Sequence, residues 1–256
     1  MSVNVMKFFC RCVLGCFMQH APPPSIEVSK VVEHEVQNHL SNAMDDPECG
    51  VFVHWGIEGS GKSIAAALLA RKLKSEKGRS ALFLDYHSLT SPSIASVVQM
   101  FCMMLPSREK SFQSDPTKPP PMSIIVDDLD KAENWNDGEF RKTIVSLAKI
   151  SSSGKRFNVL LLVSSSSRAR ELLNWDWRHI QLVGGPGCGI WRREHVSQLL
   201  GTDVDAEIVD LCSRACTPGF AVWSAKMPTI GRMRSNAERC ALEWEKGLSE
   251  LTTFCI

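Results

Sequence analysis

One octapeptide has residue types and spacing suited to holding phosphate: Gly56-Ile57-Glu58-Gly59-Ser60-Gly61-Lys62-Ser63, a G-x-x-x-x-G-K-S pattern. Glycines permit backbone torsions that a Cβ forbids, so successive N–H groups can turn inward around phosphate oxygens. Lys62 offers an ammonium to β- and γ-phosphates, and Ser63 offers a hydroxyl to Mg²⁺. A following helix would aim its positive N-terminal end at the same oxygens. The expected phosphate contacts are Gly56, Ile57, Glu58, Gly59, Ser60, Gly61, Lys62, Ser63 and Ile64. The plainer alternative is a glycine-rich turn with a stray lysine.

Two further segments could act on a phosphate held there. Ser123-Ile124-Ile125-Val126-Asp127-Asp128 reads as an apolar strand ending in two acids. A strand-end aspartate beside such a loop holds Mg²⁺, which makes Asp127 the metal candidate alongside Ser63. The next acid, Asp128, is the candidate base for an attacking water. Acids also end strands simply because they favour turns, so the pair is informative only together with the loop. The third segment is Val159 to Val163, which runs into Ser164-Ser165-Ser166-Ser167-Arg168-Ala169-Arg170. Polar residues and Arg168 at that strand end are placed to sense a γ-phosphate; the alternative is a serine-rich loop with solvated arginines. Arg170, Arg192 and Arg193 are further candidates.

The elements around these segments alternate. Ile26 to Met44 has helical apolar spacing, with His34 and His39 on its polar side. Val51 to Trp55 is a short apolar strand entering the loop. Ile64 to Lys74 is rich in helix formers. A strand over 81–86, a helix over 94–105 and a proline-rich loop over 106–122 follow. A helix over 138–150 is expected to end at Ser151-Ser152-Ser153-Gly154. A short helix leads to Trp175-Asp176-Trp177, where both tryptophans are expected to pack in an extended segment. His179 to Val183 reads as a fifth strand, broken by Gly184-Gly185-Pro186-Gly187. From Trp191 onward the pattern is helical, with a last amphipathic helix over 237–251. Cys212 and Cys216 share a helix face and read as packing.

The chain has 256 residues, and its 29 basic and 28 acidic side chains nearly cancel. That balance gives no indication of nucleic acid or an acidic membrane as partner. Ten cysteines, several inside apolar patterns, are placed as reduced, buried cysteine is; a phosphate-loop enzyme is normally intracellular, cytoplasmic or nuclear, so they read as thiols and not as a disulfide framework. Residues 1–24 form a separate tail. Its apolar stretch is broken by Arg11 and is too short to span a bilayer. Cys10, Cys12, Cys16 and His20 leave zinc binding, lipidation with membrane association, and a loosely docked tail all open. The division expected is 1–24 tail, 25–187 core and 188–256 small helical region.

The order of elements resembles the additional-strand class of phosphate-loop NTPases, in which a strand lies between the loop strand and the acidic strand. Within it, the chain is similar to AAA+ and STAND ATPases, the NB-ARC type above all. Gly56, Gly59, Gly61, Lys62 and Ser63 match that loop, Asp127 and Asp128 its acidic strand, and Ser164, Ser165 and Arg168 its sensor strand. The match has departures: Arg168 comes two residues late, and the lid motif is distorted into Thr217-Pro218-Gly219-Phe220-Ala221. The resemblance implies a three-layer α/β/α fold with a mostly parallel five-stranded sheet and a small C-terminal helical lid. It also implies ATP and Mg²⁺ as ligands, with Lys62, Asp128 and Arg168 as catalytic residues. A homo-oligomer or protein partner, with a neighbour's arginine completing the site, is implied as well. Guanine readers carry Asn-Lys-x-Asp after a strand; its absence favours adenine. A binding module that holds ATP or ADP with slow turnover is the alternative function, and a phosphotransferase is disfavoured because paired acids suit water activation.

Overall fold

The computed structural model describes residues 35–46, 50–77, 79–85, 122–132, 135–154, 157–185, 188–200, 204–214 and 230–253. The elements in chain order are α1 (Glu35–Asp45), β1 (Val51–Trp55), α2 (Lys62–Lys77), β2 (Ser80–Asp85) and β3 (Met122–Asp127). A 3₁₀ turn (Leu129–Lys131), α3 (Gly138–Gly154), β4 (Phe157–Val163), α4 (Ser166–Trp175) and β5 (Ile180–Leu182) follow. The chain closes with α5 (Arg193–Leu200), α6 (Ala206–Arg214) and α7 (Ile230–Thr252). The sequence readings for the tail, residues 26–34, the helix over 94–105, most of the proline-rich loop and the 217–221 segment lie outside the described residues.

The five strands form one sheet in the order β2-β3-β4-β1-β5, and every pairing is parallel. β1, β3 and β4 are buried at every position, which is why they read as mostly apolar runs, with His54, Ser123, Asp127 and Asn158 as buried polar exceptions. Residues of α1 and α2 pack with Phe52, Ile125, Leu160 and Leu162 on one face. Residues of α3, α4 and α7 pack with Val51, Val53, Ile124 and Leu161 on the other. The architecture is therefore a three-layer α/β/α sandwich whose sheet is wholly parallel.

β4 lies between β1 and β3, with Val163 beside Trp55 and Leu161 beside Val126. From β1 the chain passes to β2 at one edge; from β4 it crosses β1 to β5 at the other. Such a divergence opens a crevice at the strands' carboxyl ends, where open α/β sheets bind ligands. At the opposite end, buried Arg79 holds α1 in place. It donates to the Met44 carbonyl at 2.7 Å and to Ser123 Oγ at 3.2 Å, and it pairs with Asp45 at 2.8 Å. Asn158 donates to the same Met44 carbonyl at 2.7 Å. A cationic group at a helix C-terminus also meets the negative end of the helix dipole.

Two sequence expectations are corrected. Helix α3 does not stop before Ser151 but runs through Gly154. Ser151 Oγ donates to Gly50 O at 3.2 Å and Phe157 O at 2.6 Å, and Ser152 Oγ returns to Ala148 O at 2.9 Å. These hydroxyls bond to nearby carbonyls without breaking the helix. The two tryptophans also part company. Trp175 ends α4 and packs on Trp135 at 5.3 Å, whereas Trp177 sits in a turn, 68% exposed, beside Arg178.

The helical region has a small core of its own, formed by Val196, Val209, Leu211, Cys212 and Ala237. Yet α7 continues beyond it into the main core, where Trp244 and Leu251 are buried. Trp244 meets Trp55 edge-on, with ring centroids 4.8 Å apart and planes at 77°. A Cβ at Gly247 would lie 2.2 Å from Trp55 Cζ2 and 2.6 Å from Cη2. Alanine normally improves a helix interior by about 1 kcal/mol over glycine. Overpacking costs about 1–3 kcal/mol, so Gly247→Ala is expected to be net destabilising. A lowered urea midpoint would carry that sign; a raised one would show that α7 does not sit on Trp55.

Candidate functional site

Because all strands are parallel, β1, β4 and β3 deliver their following segments to the same edge. Gly56 to Gly61 leaves β1, Ser164 and Ser165 leave β4, and Asp128 to Lys131 leaves β3. The three segments singled out in the sequence thus meet at one place, on adjacent strands.

The loop has the backbone that its glycines allow. Gly59 and Gly61 have φ of 78° and 88°, in the left-handed region where a side chain is strained. Glu58 and Gly59 form its exposed tip, Ile57 and Ser60 turn inward, and Lys62 opens α2. Lys62 is 7% exposed, and its ammonium donates to Gly56 O at 2.6 Å and Ile57 O at 3.2 Å. Burial pushes its pKa down, against the pull of Asp127, Asp130, Asp128 and Glu58. A desolvated cation held on its own loop's carbonyls, with carboxylates grouped around it, fits a site for a charged ligand.

Asp127 is buried and accepts from the Asp128 N–H at 2.9 Å and from the Ser63 hydroxyl. The two residues expected to hold Mg²⁺ are therefore in contact, as a hydroxyl–carboxylate pair that suits a hard, oxygen-seeking cation. Asp128 is in the left-handed region, with φ 53° and ψ 30°, alone in that respect among the described non-glycine residues. Such a conformation costs about 1–3 kcal/mol and concentrates at functional sites. Its half-buried carboxylate lies 3.2 Å from Lys131 Nζ.

Asp130 has a role that was not foreseen in the sequence. One of its oxygens accepts from the Ser164 and Ser165 N–H groups at 3.0 and 2.9 Å, tying the β3 turn to the end of β4. Arg168 donates to the Asp130 carbonyl, and its guanidinium lies 4.7 Å from the Trp135 ring centroid. Trp135 in turn donates to Glu171 at 2.5 Å. The expected sensor arginine is thus held on the acidic turn. Nothing in Asp127-Asp128-Leu129-Asp130 marked Asp130 as this acceptor, because its partners lie 34 and 35 residues on. Arg170, Arg192 and Arg193 are exposed; Arg193 pairs with Asp210 at 2.9 Å and Arg192 lies 3.7 Å from Glu35.

No protein-family model matches the chain, and no curated protein matches it significantly. Three solved structures are similar to it in outline. One is a Walker-type ATPase of Pyrococcus abyssi, with 14% identity, 93% of this chain and 80% of that chain covered, and a TM-score of 0.48. Another is Cdc6p from Pyrobaculum aerophilum, with 11% identity, coverage of 85% and 62%, and a TM-score of 0.45. The third is the ORC2 protein of Aeropyrum pernix, solved as ADPNP–ADP complexes, with 12% identity, coverage of 90% and 71%, and a TM-score of 0.40. Among the described residues no helix is long and apolar enough to cross a membrane, and no cluster of three or more metal-ligating side chains occurs.

Burial raises the Asp127 pKa, against the hydrogen bonds from Ser63 and the Asp128 N–H. The folded state therefore binds this proton more tightly than the unfolded chain. That advantage is complete below the unfolded pKa and is lost as pH rises through the folded value. At neutral pH the ionised, buried Asp127 weakens the ligand-free fold, so Asp127→Asn is expected to melt at a higher temperature without ligand. The gap should close on acidification, and the variant should lose any magnesium-dependent gain in stability. Thermal melts across pH, with and without Mg²⁺ and nucleotide, check both signs.

Proposed function

We propose that the chain binds Mg²⁺ and a nucleoside triphosphate, ATP by preference, at Gly56 to Ile64 and hydrolyses the γ-phosphate. The observation that supports this best is the convergence of loop, acidic turn and serine turn from β1, β3 and β4 around buried Lys62. Loop N–H groups and the start of α2 would bind the phosphates. Lys62 would exchange the Gly56 and Ile57 carbonyls for phosphate oxygens. Ser63 and Asp127 would hold Mg²⁺, which supplies charge neutralisation to the phosphates when bound. Asp128 would leave Lys131 and accept the proton of the attacking water. Arg168 would act on the γ-phosphate only on leaving Trp135; in the conformation described it positions the Asp130 turn. The unit 25–187 would be the catalytic core and 188–256 the lid region, as in AAA+ and STAND proteins, with α5 and α6 moving while α7 stays anchored on the main core through Trp244.

A slow-turnover, nucleotide-gated module is the second reading. It is favoured by the Trp55–Trp244 joint, which ties the helical region to the strand entering the loop. Steady-state phosphate release from ATP, with Mg²⁺ and with the metal chelated, separates the two. Sustained metal-dependent release supports hydrolysis. Stoichiometric nucleotide retention without release supports the gated module, and neither result is compatible with absence of binding.

A further inference from the structure

We propose that Trp244 of α7 is a nucleotide-contacting residue, its indole N–H donating to an acceptor oxygen of the nucleotide held by the phosphate loop. The inference extends the nucleotide reading and depends on it. Trp244 is 2% exposed, and among the described residues its Nε1 finds no hydrogen-bond partner. Ser60 Oγ, at the turn of the loop, is likewise buried and unpartnered among them. The two line one narrow cleft, together with Gly56, Gly61 and Lys62.

Buried donors without acceptors are uncommon in folded proteins and call for a reason. Tryptophan is an inefficient filler for a purely apolar site, because its N–H must be desolvated with it. The nearby indole shows the ordinary solution: Trp55 Nε1 donates to Ser164 O at 3.1 Å. Among the described residues Trp244 has no such acceptor, yet α7 is seated on the Trp55 ring, which Trp244 meets edge-on and Gly247 approaches closely. A rigid donor beside a loop suited to oxyanions is matched by an acceptor that arrives with the ligand. α7 carries a second link to the same region, since Ser166 Oγ donates to Glu250 at 2.6 Å. Contact at Trp244 would therefore report occupancy of the loop both to α7 and to the start of α4.

The test uses the full chain, ¹⁵N-labelled at tryptophan, titrated with Mg-ADP. The Trp244 indole resonance is identified by its loss in Trp244→Phe or, should that variant not fold, by its proximity to the Trp55 ring protons. The expected result is a downfield shift and slower solvent exchange of this N–H, with exposed Trp177 unmoved as control. Trp244→Phe should weaken Mg-ADP binding about 2- to 10-fold, the loss expected of one neutral hydrogen bond. If Mg-ADP saturates the protein while the Trp244 resonance stays in place, Trp244 has only a packing role and the inference fails alone. If Mg-ADP and Mg-ATP both fail to bind wild type, the nucleotide reading fails and this inference with it.

Discussion

Lys62→Ala is expected to weaken nucleoside triphosphate binding by about 10- to 150-fold, the loss of a hydrogen bond to a charged group. The same substitution should leave the ligand-free protein as stable as wild type or more so. The ammonium is buried and its pKa is pushed down by desolvation, so it carries a solvation cost that alanine removes. Against this stands the loss of two bonds to Gly56 O and Ile57 O. Those bonds only make good what burial takes away, because a solvated lysine would bond to water equally well. A structural lysine would behave in the opposite way, losing stability with no effect on ligand. Paired measurements of nucleotide affinity and urea midpoint distinguish the cases.

Asp128→Asn is expected to reduce turnover by about 10²–10⁴-fold while nucleotide affinity changes little, the range for loss of a positioned general base. Geometry supports Asp128 over Asp127 for this role. Asp127 is buried against Ser63 and the Asp128 N–H, which suits a fixed ligand. Asp128 is half-exposed and held in a left-handed conformation, and its carboxylate pairs with Lys131 on its own turn. Its carboxylate can reach a water without breaking the strand end. Single-turnover hydrolysis alongside equilibrium binding is the relevant measurement. A fall in binding with turnover per bound nucleotide unchanged would make Asp128 a ligand-holding residue and not the base.

The strands and the candidate site were legible for the same reason. β1, β3 and β4 are buried throughout, so they announce themselves as apolar runs, and chemistry-bearing residues follow directly at their ends. The resemblance implied a strand between β1 and β3 but did not say which one; that it is β4 is decided by non-local pairing, which no run of residues reveals. Local signals misled where a side chain bonds in an unforeseen direction. Ser151 and Ser152 looked like a helix stop, but Ser151 bonds out to the Gly50 and Phe157 carbonyls and Ser152 back to the Ala148 carbonyl, and the helix continues. Trp177 looked like a core residue but lies in a turn because α4 runs through Trp175 and reverses at Asp176, which pairs with His179 at 3.0 Å. The acceptor role of Asp130 joins residues 34 and 35 positions apart, and the Trp55–Trp244 contact joins residues nearly 190 apart. No spacing rule reaches that far. Helix α7 begins at Ile230, ahead of the apolar stripe over 237–251 that marked it.

The central claim is that Gly56 to Ser63 holds the phosphates of a nucleotide through its backbone and Lys62. Isothermal titration of the full chain with the non-hydrolysable triphosphate ADPNP and Mg²⁺, set beside Lys62→Ala, tests it most directly. The account predicts saturable one-to-one binding by wild type, weakened about 10- to 150-fold in the variant. Equal affinity in the two proteins, or no binding by a folded wild type, would contradict it.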